Sequence, residues 1–162
     1  MRLIKIMEND VVDCDSGICV SIWVSGCPHR CNGCHNSEYW DSNVVPEIDN
    51  EIVLKNVLEA INKNGIMRNL SLLGGEPLYD NNLDDYLYIV KEVKKVFPDI
   101  KIYCWTGYVL ENFTDKQKEI LNYIDVLIDG PFILEKRDLT LKLRGSTNQR
   151  VFRKVGNKFV KE

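Results

Sequence analysis

The sequence has no excess of basic charge and no long apolar run. Lysine and arginine together number 21 against 24 aspartates and glutamates, for a net charge of −3. No basic stripe or block of like charge stands out, which argues against a nucleic-acid partner. No apolar stretch approaches the roughly 20 residues of a membrane helix, so no membrane association is expected. The opening Met1-Arg2-Leu3-Ile4-Lys5-Ile6-Met7 is too short and too interrupted by charge for a secretory signal, which points to the cytoplasm. Internal repeats and low-complexity tracts are also lacking. With 162 residues, 44% of them apolar, the chain suits a single domain over 1–162, long enough to bury about 70% of its unfolded surface.

What the sequence does have is cysteine. There are six, and Cys27, Cys31 and Cys34 form a C-x3-C-x2-C run. In a reducing compartment such a cluster favours metal ligation over disulfides. The preceding residues 18–24 are apolar and rich in Val, Ile and Trp, so they read as a buried strand. The thiols then lie on a loop at a strand end, where α/β sheets gather their chemistry. Three local thiolates suit an iron–sulfur cubane with one iron left open. A zinc knuckle is the second reading, weakened because no second C-x2-C pair exists. Inert thiols are the third. Cys14, Cys19 and Cys104 read as small core hydrophobes. His29 and His35 lie inside the loop and read as packing or hydrogen-bonding residues rather than ligands. Tyr39 and Trp40 read equally well as a shield over the metal and as a core plug.

Residues 2–7 alternate as a half-buried strand does. A helical period covers 49–63, with Asp49 as cap and Asn64-Gly65 at the end; a short buried strand follows at 70–73. A second helical period runs over 83–97 and stops before Pro98, and a strand is read at 100–105. Thr114 and Gln117 have capping-box spacing at the head of a helix over 115–123, with a strand at 125–128. The final runs 151–155 and 158–160 flank Gly156-Asn157 as a hairpin. Strands alternating with helices predict an α/β fold with a mostly parallel sheet. The chain is well short of the roughly 250 residues of a full eight-unit barrel, so an open, partial (β/α) barrel is expected.

Gly74-Gly75-Glu76-Pro77 follows the 70–73 strand. Alone it is turn chemistry. Paired glycines nevertheless allow close backbone approach, and a carboxylate such as Glu76 suits an ammonium. The three-cysteine loop and this turn together resemble the radical S-adenosylmethionine superfamily. The resemblance implies a 4Fe-4S cluster on Cys27, Cys31 and Cys34, with S-adenosylmethionine on the open iron. It implies that Gly33, Cys34 and His35 line the adenosyl side, and that Gly74, Gly75 and Glu76 hold the methionine end. One-electron cleavage of the sulfonium then yields a 5′-deoxyadenosyl radical. That chemistry belongs to the cofactor, so no catalytic acid or base is assigned.

A narrower resemblance comes from further blocks in order: Val24-Ser25-Gly26-Cys27, Cys34-His35-Asn36, Trp40, Gly74-Gly75-Glu76-Pro77-Leu78, Trp105-Thr106-Gly107-Tyr108, Asp129-Gly130-Pro131-Phe132 and Arg144-Gly145-Ser146-Thr147-Asn148-Gln149. Together they resemble the glycyl-radical activases of anaerobic ribonucleoside-triphosphate reductases. The implied protein substrate is the large reductase subunit, which yields a hydrogen atom from a backbone glycine. The implied electron source is a low-potential donor such as a flavodoxin. Two departures stand out: Cys14-Asp15-Ser16-Gly17 replaces a Gly-Pro-Gly-type turn, and Gly33 stands where many superfamily members carry an aromatic. Arg144 and Asn148 read equally as partner or cofactor contacts and as part of a tail packed on the sheet. The competing readings are an activase of another glycyl-radical enzyme, a small radical synthase, and a non-catalytic metal-binding module.

Overall fold

A computed structural model describes all residues from Met1 to Glu162. Strands β1 (Leu3–Asp10), β2 (Cys19–Val24), β3 (Asn69–Gly74), β4 (Ile102–Trp105), β5 (Val126–Asp129), β6 (Arg150–Val155) and β7 (Lys158–Lys161) form one sheet in sequence order. The central strands β2 to β5 are parallel, whereas β1 pairs antiparallel with β2, β6 with β5 and β7 with β6. The ends β1 and β7 do not pair, so the sheet stays open. The expected α/β class and parallel centre are present, but the sheet as a whole is mixed. The β1–β2 and β6–β7 links are too short for the dozen or more residues that a parallel return needs, whereas β6 returns antiparallel to β5 through the long 130–149 loop.

Helices α1 (Asn50–Ile61), α2 (Asp80–Val96) and α3 (Asp115–Glu119) supply the crossovers. Asp49 caps α1 by accepting from the Glu51 N–H at 2.8 Å, and both halves of the Thr114/Gln117 capping box are made. α2 begins at Asp80 rather than 83, because its first turn, Asp80-Asn81-Asn82, is polar and leaves no mark on the apolar period. α3 ends at Glu119 and tightens into a 3-10 turn over Ile120–Asn122.

Side chains alternate across the strands and give the sheet two different faces. Val20, Ile22, Leu70, Leu72, Ile102 and Leu127 pack with α1 and α2 in the main core. The other face carries Cys19, Tyr103, Val126, Ile128 and Val151 in a smaller cluster with Cys14. No helix covers that face. Loops cross it instead: the Ser71 hydroxyl donates to the Asp13 carbonyl at 2.5 Å, and the Trp105 indole N–H donates to the Leu143 carbonyl at 2.6 Å. Cys19 and Cys104 are buried in strands and Cys14 in the loop between β1 and β2, as their core reading requires.

Candidate metal centre and adjoining cleft

Parallel strands β2, β3, β4 and β5 end at one edge, and the loops that follow Val24, Gly74, Trp105 and Asp129 therefore meet there. The cysteine loop is fixed at its root, where the Gly26 and Cys27 N–H groups donate to the Tyr39 and Trp40 carbonyls at 2.8 and 2.9 Å. The backbone of Trp40 thus anchors the loop, while its ring faces the Arg30 guanidinium at 5.9 Å. Within the loop, Arg30 and Gly33 adopt left-handed φ of 48° and 76°, and the Cys34 N–H closes a turn on the Cys31 carbonyl at 3.1 Å.

All three thiols are free and half-buried. Burial pushes the Cys27 thiol up to about 11, with Glu76 adding to the shift and the His29 and Arg30 N–H groups opposing it. Burial also raises Cys31, against a Phe132 N–H that stabilises the thiolate. The Asn36 N–H points at the Cys34 sulfur at 3.4 Å. Backbone donors aimed at sulfur are the usual setting of an iron–sulfur centre, and a metal entering here displaces the thiol protons. A zinc ion gathers its thiolates about 2.3 Å from one centre, whereas a cubane places each thiolate on a different iron. The other cysteines are buried in the core, and His29 faces Glu76. Three thiols on one loop, met by backbone donors, are a donor set that fits an iron–sulfur cluster.

Glu76 lies 1% exposed beside this loop. Its Oε1 accepts from the Leu78 N–H at 2.9 Å and the Thr106 hydroxyl at 2.8 Å; its Oε2 accepts from the Gly107 N–H at 2.7 Å and faces His29 Nε2 at 2.8 Å. Gly74 and Gly75 press against the end of β2. A Cβ on either would collide with the backbone of Val24 or Gly26, and Gly74 has φ 115°. Their close approach is thus to the root of the cysteine loop, which the Gly75 and Glu76 N–H groups also bond through the Val24 and Gly26 carbonyls at 2.6 and 2.9 Å.

A cleft of about 620 Å³ opens on the helix-free face, walled by Trp23, Trp105, Phe132 and Arg144, with Cys34 and His35 at one side. The structure brings Cys34 and His35 to this cleft. Gly74, Gly75 and Glu76 do not line it and stand behind the cysteine loop. The 144–149 block is tied down internally: Gln149 Oε1 accepts from the Gly145 and Ser146 N–H groups at 2.9 and 3.1 Å, and Asn148 donates to the Pro131 carbonyl at 2.7 Å. The block packs as a clasp over the 130–133 loop, with Arg144, Gly145 and Gln149 at the cleft and Arg144 donating to the Gln149 carbonyl at 2.8 Å. Residue-by-residue reading missed Thr106 and Asn82. The Asn82 amide donates to the carbonyls of Ser25, Gly26 and Glu76 at 3.0 to 3.3 Å, yet in sequence it is only a polar residue at a helix start.

Comparison with known proteins gives a consistent result. Residues 15–152 match the family model described as a 4Fe-4S single cluster domain. The chain is 40% identical over 144 residues to the anaerobic ribonucleoside-triphosphate reductase-activating protein of Vibrio cholerae, covering 89% of this chain and 92% of that one. To the protein of the same name from Haemophilus influenzae it is 37% identical over 154 residues, covering 94% and 98%. To that of Enterobacteria phage T4 it is 39% identical over 137 residues, covering 84% of each.

Proposed function

Because the chain belongs to the family of anaerobic ribonucleoside-triphosphate reductase-activating proteins, we propose that Cys27, Cys31 and Cys34 hold its 4Fe-4S cluster and that the adjoining cleft receives S-adenosylmethionine. The protein is a radical S-adenosylmethionine-type activase of the anaerobic reductase. Bound cluster and S-adenosylmethionine supply a one-electron cleavage that ends in removal of a hydrogen atom from the reductase. The chain's own residues bind and orient. Gly33, Cys34 and His35 form the adenosyl side, and the Gly74-Gly75-Glu76 turn supports the methionine end. Backbone N–H groups of His29, Arg30, Phe132 and Asn36 stabilise the thiolates. The open edge of the sheet leaves room for a backbone segment of the large reductase subunit, and a low-potential donor such as a flavodoxin supplies the electron. One domain spans 1–162. No helix is long and apolar enough to cross a membrane, and we place the protein in the cytoplasm.

The observation that carries this reading is the set of three free thiols on one loop, met by backbone donors. Anaerobic reconstitution with iron and sulfide is expected to give about four irons per chain. Reduction then yields 5′-deoxyadenosine from S-adenosylmethionine, and a glycyl radical when the large reductase subunit is present. Serine at Cys27, Cys31 or Cys34 abolishes both. A colourless, zinc-bearing protein that leaves S-adenosylmethionine intact overturns the reading.

A further inference from the structure

Four donors from three separate loops meet on the Glu76 carboxyl. Its own loop contributes the Leu78 N–H, the loop after β4 contributes the Thr106 hydroxyl and the Gly107 N–H, and the cysteine loop contributes His29. Two oxygens with about four lone-pair sites are filled by these four partners, and the residue is closed to solvent. His29 is held as firmly. Its ring meets Tyr108 edge-to-face at 4.5 Å and 71°, and a Cβ on Gly107 would lie 2.5 Å from it, so only glycine leaves room for the imidazole there. His29 sits between two of the three cysteines, so whatever fixes its ring also fixes the loop that carries them.

We propose that His29 and Glu76 form a latch that sets the cysteine loop against the loops after β3 and β4. Glu76 then serves the methionine end as a positioning residue, by holding the Gly74-Gly75 turn, rather than by touching the ligand. This rests on the reading of the cleft as the S-adenosylmethionine site, but the latch itself exists in the chain without metal and can be judged there.

The first test therefore uses the iron-free chain and hydrogen–deuterium exchange over 26–36 and 106–108. His29→Ala is expected to speed exchange in both segments at least about fivefold, because local opening follows the loss of such ties. His29→Gln, whose amide nitrogen reaches the place of Nε2, is expected to return to within about twofold of wild type. Exchange unchanged in His29→Ala overturns the latch. The second test uses the reconstituted protein and separates KM for S-adenosylmethionine from kcat for 5′-deoxyadenosine release. If Glu76 acts by position, His29→Ala and Thr106→Val raise KM about five- to tenfold together with Glu76→Gln, with kcat changed less than about twofold. If Glu76→Gln alone raises KM, the carboxyl touches the ligand and the proposal fails. A wild-type chain that takes up no iron fails the cluster reading, whereas unchanged exchange fails the latch alone.

Discussion

Glu76 and Asp129 both lie at the C-terminal edge of the parallel strands, and both are buried, to 1% and 0% exposure. Their partners differ in kind. Asp129 is clasped by one guanidinium, with Arg150 Nε on Oδ1 at 2.8 Å and Nη2 on Oδ2 at 2.5 Å, and it accepts the Leu110 N–H at 2.8 Å. Arg150 reaches on to Glu111, whose carboxyl it pulls down to about 2, and stacks over Phe152 at 4.9 Å. Glu76 has no lysine or arginine partner; an imidazole, a hydroxyl and two amides surround it. The two arrangements suit their places. Asp129 and Arg150 are directly paired residues of β5 and β6, where the sheet turns from parallel to antiparallel, and a bidentate charge pair fixes that register. Glu76 joins loops, and each of its bonds is a separate tie to a separate segment. One carboxyl staples a sheet, and the other assembles a site.

The largest effect is expected where a charge is stranded. Arg150→Met leaves Asp129 buried without its cation and should cost about 3–5 kcal/mol in urea unfolding. Adding Asp129→Asn should restore at least half of that loss. Glu76→Gln should cost less, about 1–3 kcal/mol. An amide NH2 in place of either oxygen faces an N–H of Leu78 or Gly107, so one donor is left unpaired whichever way the amide turns. If Glu76→Gln unfolds the chain more readily than Arg150→Met, the division between staple and site assembler is wrong.

What could be read from the sequence was whatever is close in sequence. The C-x3-C-x2-C loop, the Gly-Gly-Glu-Pro turn, the Asp49 cap and the Thr114/Gln117 box each occupy a few consecutive residues, and each stands where expected. The four partners of Glu76 come from positions 29, 78, 106 and 107, up to 47 residues away, and no local pattern announces them. His29 was legible as a hydrogen-bonding residue but not as a tie to Glu76. Asn82 was lost for the same reason as the first turn of α2: polar residues carry no periodic signal, and their partners are decided by tertiary contact. The Gly156-Asn157 hairpin announced the antiparallel β6–β7 pair, whereas the antiparallel pairing of β1 with β2 and of β6 with β5 did not show, because alternation marks a half-buried strand without fixing its direction.

A third buried carboxyl, Asp10, with the half-buried Asp13 beside it, sharpens the comparison, since it has no clasping cation. Asp10 is buried. It accepts from the Ser21 hydroxyl at 2.7 Å and from the Val12 and Asp13 N–H groups at 2.9 and 3.1 Å. Burial alone would raise its carboxyl, but these donors and the Asp13 side chain outweigh it and hold the group below its usual range. Asp13 moves the other way, to about 7, through burial first and then through its hydrogen bond to Asp10 and that neighbour's charge, against a smaller pull from Lys5. Asp13 is therefore the proton carrier of the pair. Its folded value lies above the ordinary 3.8, so the folded chain keeps a proton that the unfolded chain releases between those two values. Stability then falls as pH rises through that window, and the loss is complete above about 7. Asp13→Asn keeps a donor for Asp10 without the charge. It should stabilise the chain by about 1 kcal/mol at pH 8, a figure reduced for partial exposure, with the gain shrinking to nothing near pH 3.5. Urea midpoints of the two proteins across that range check it. A difference that stays constant with pH would mean that Asp13 bears its charge in the fold, and that Asp10 is held by its hydroxyl and amide donors alone.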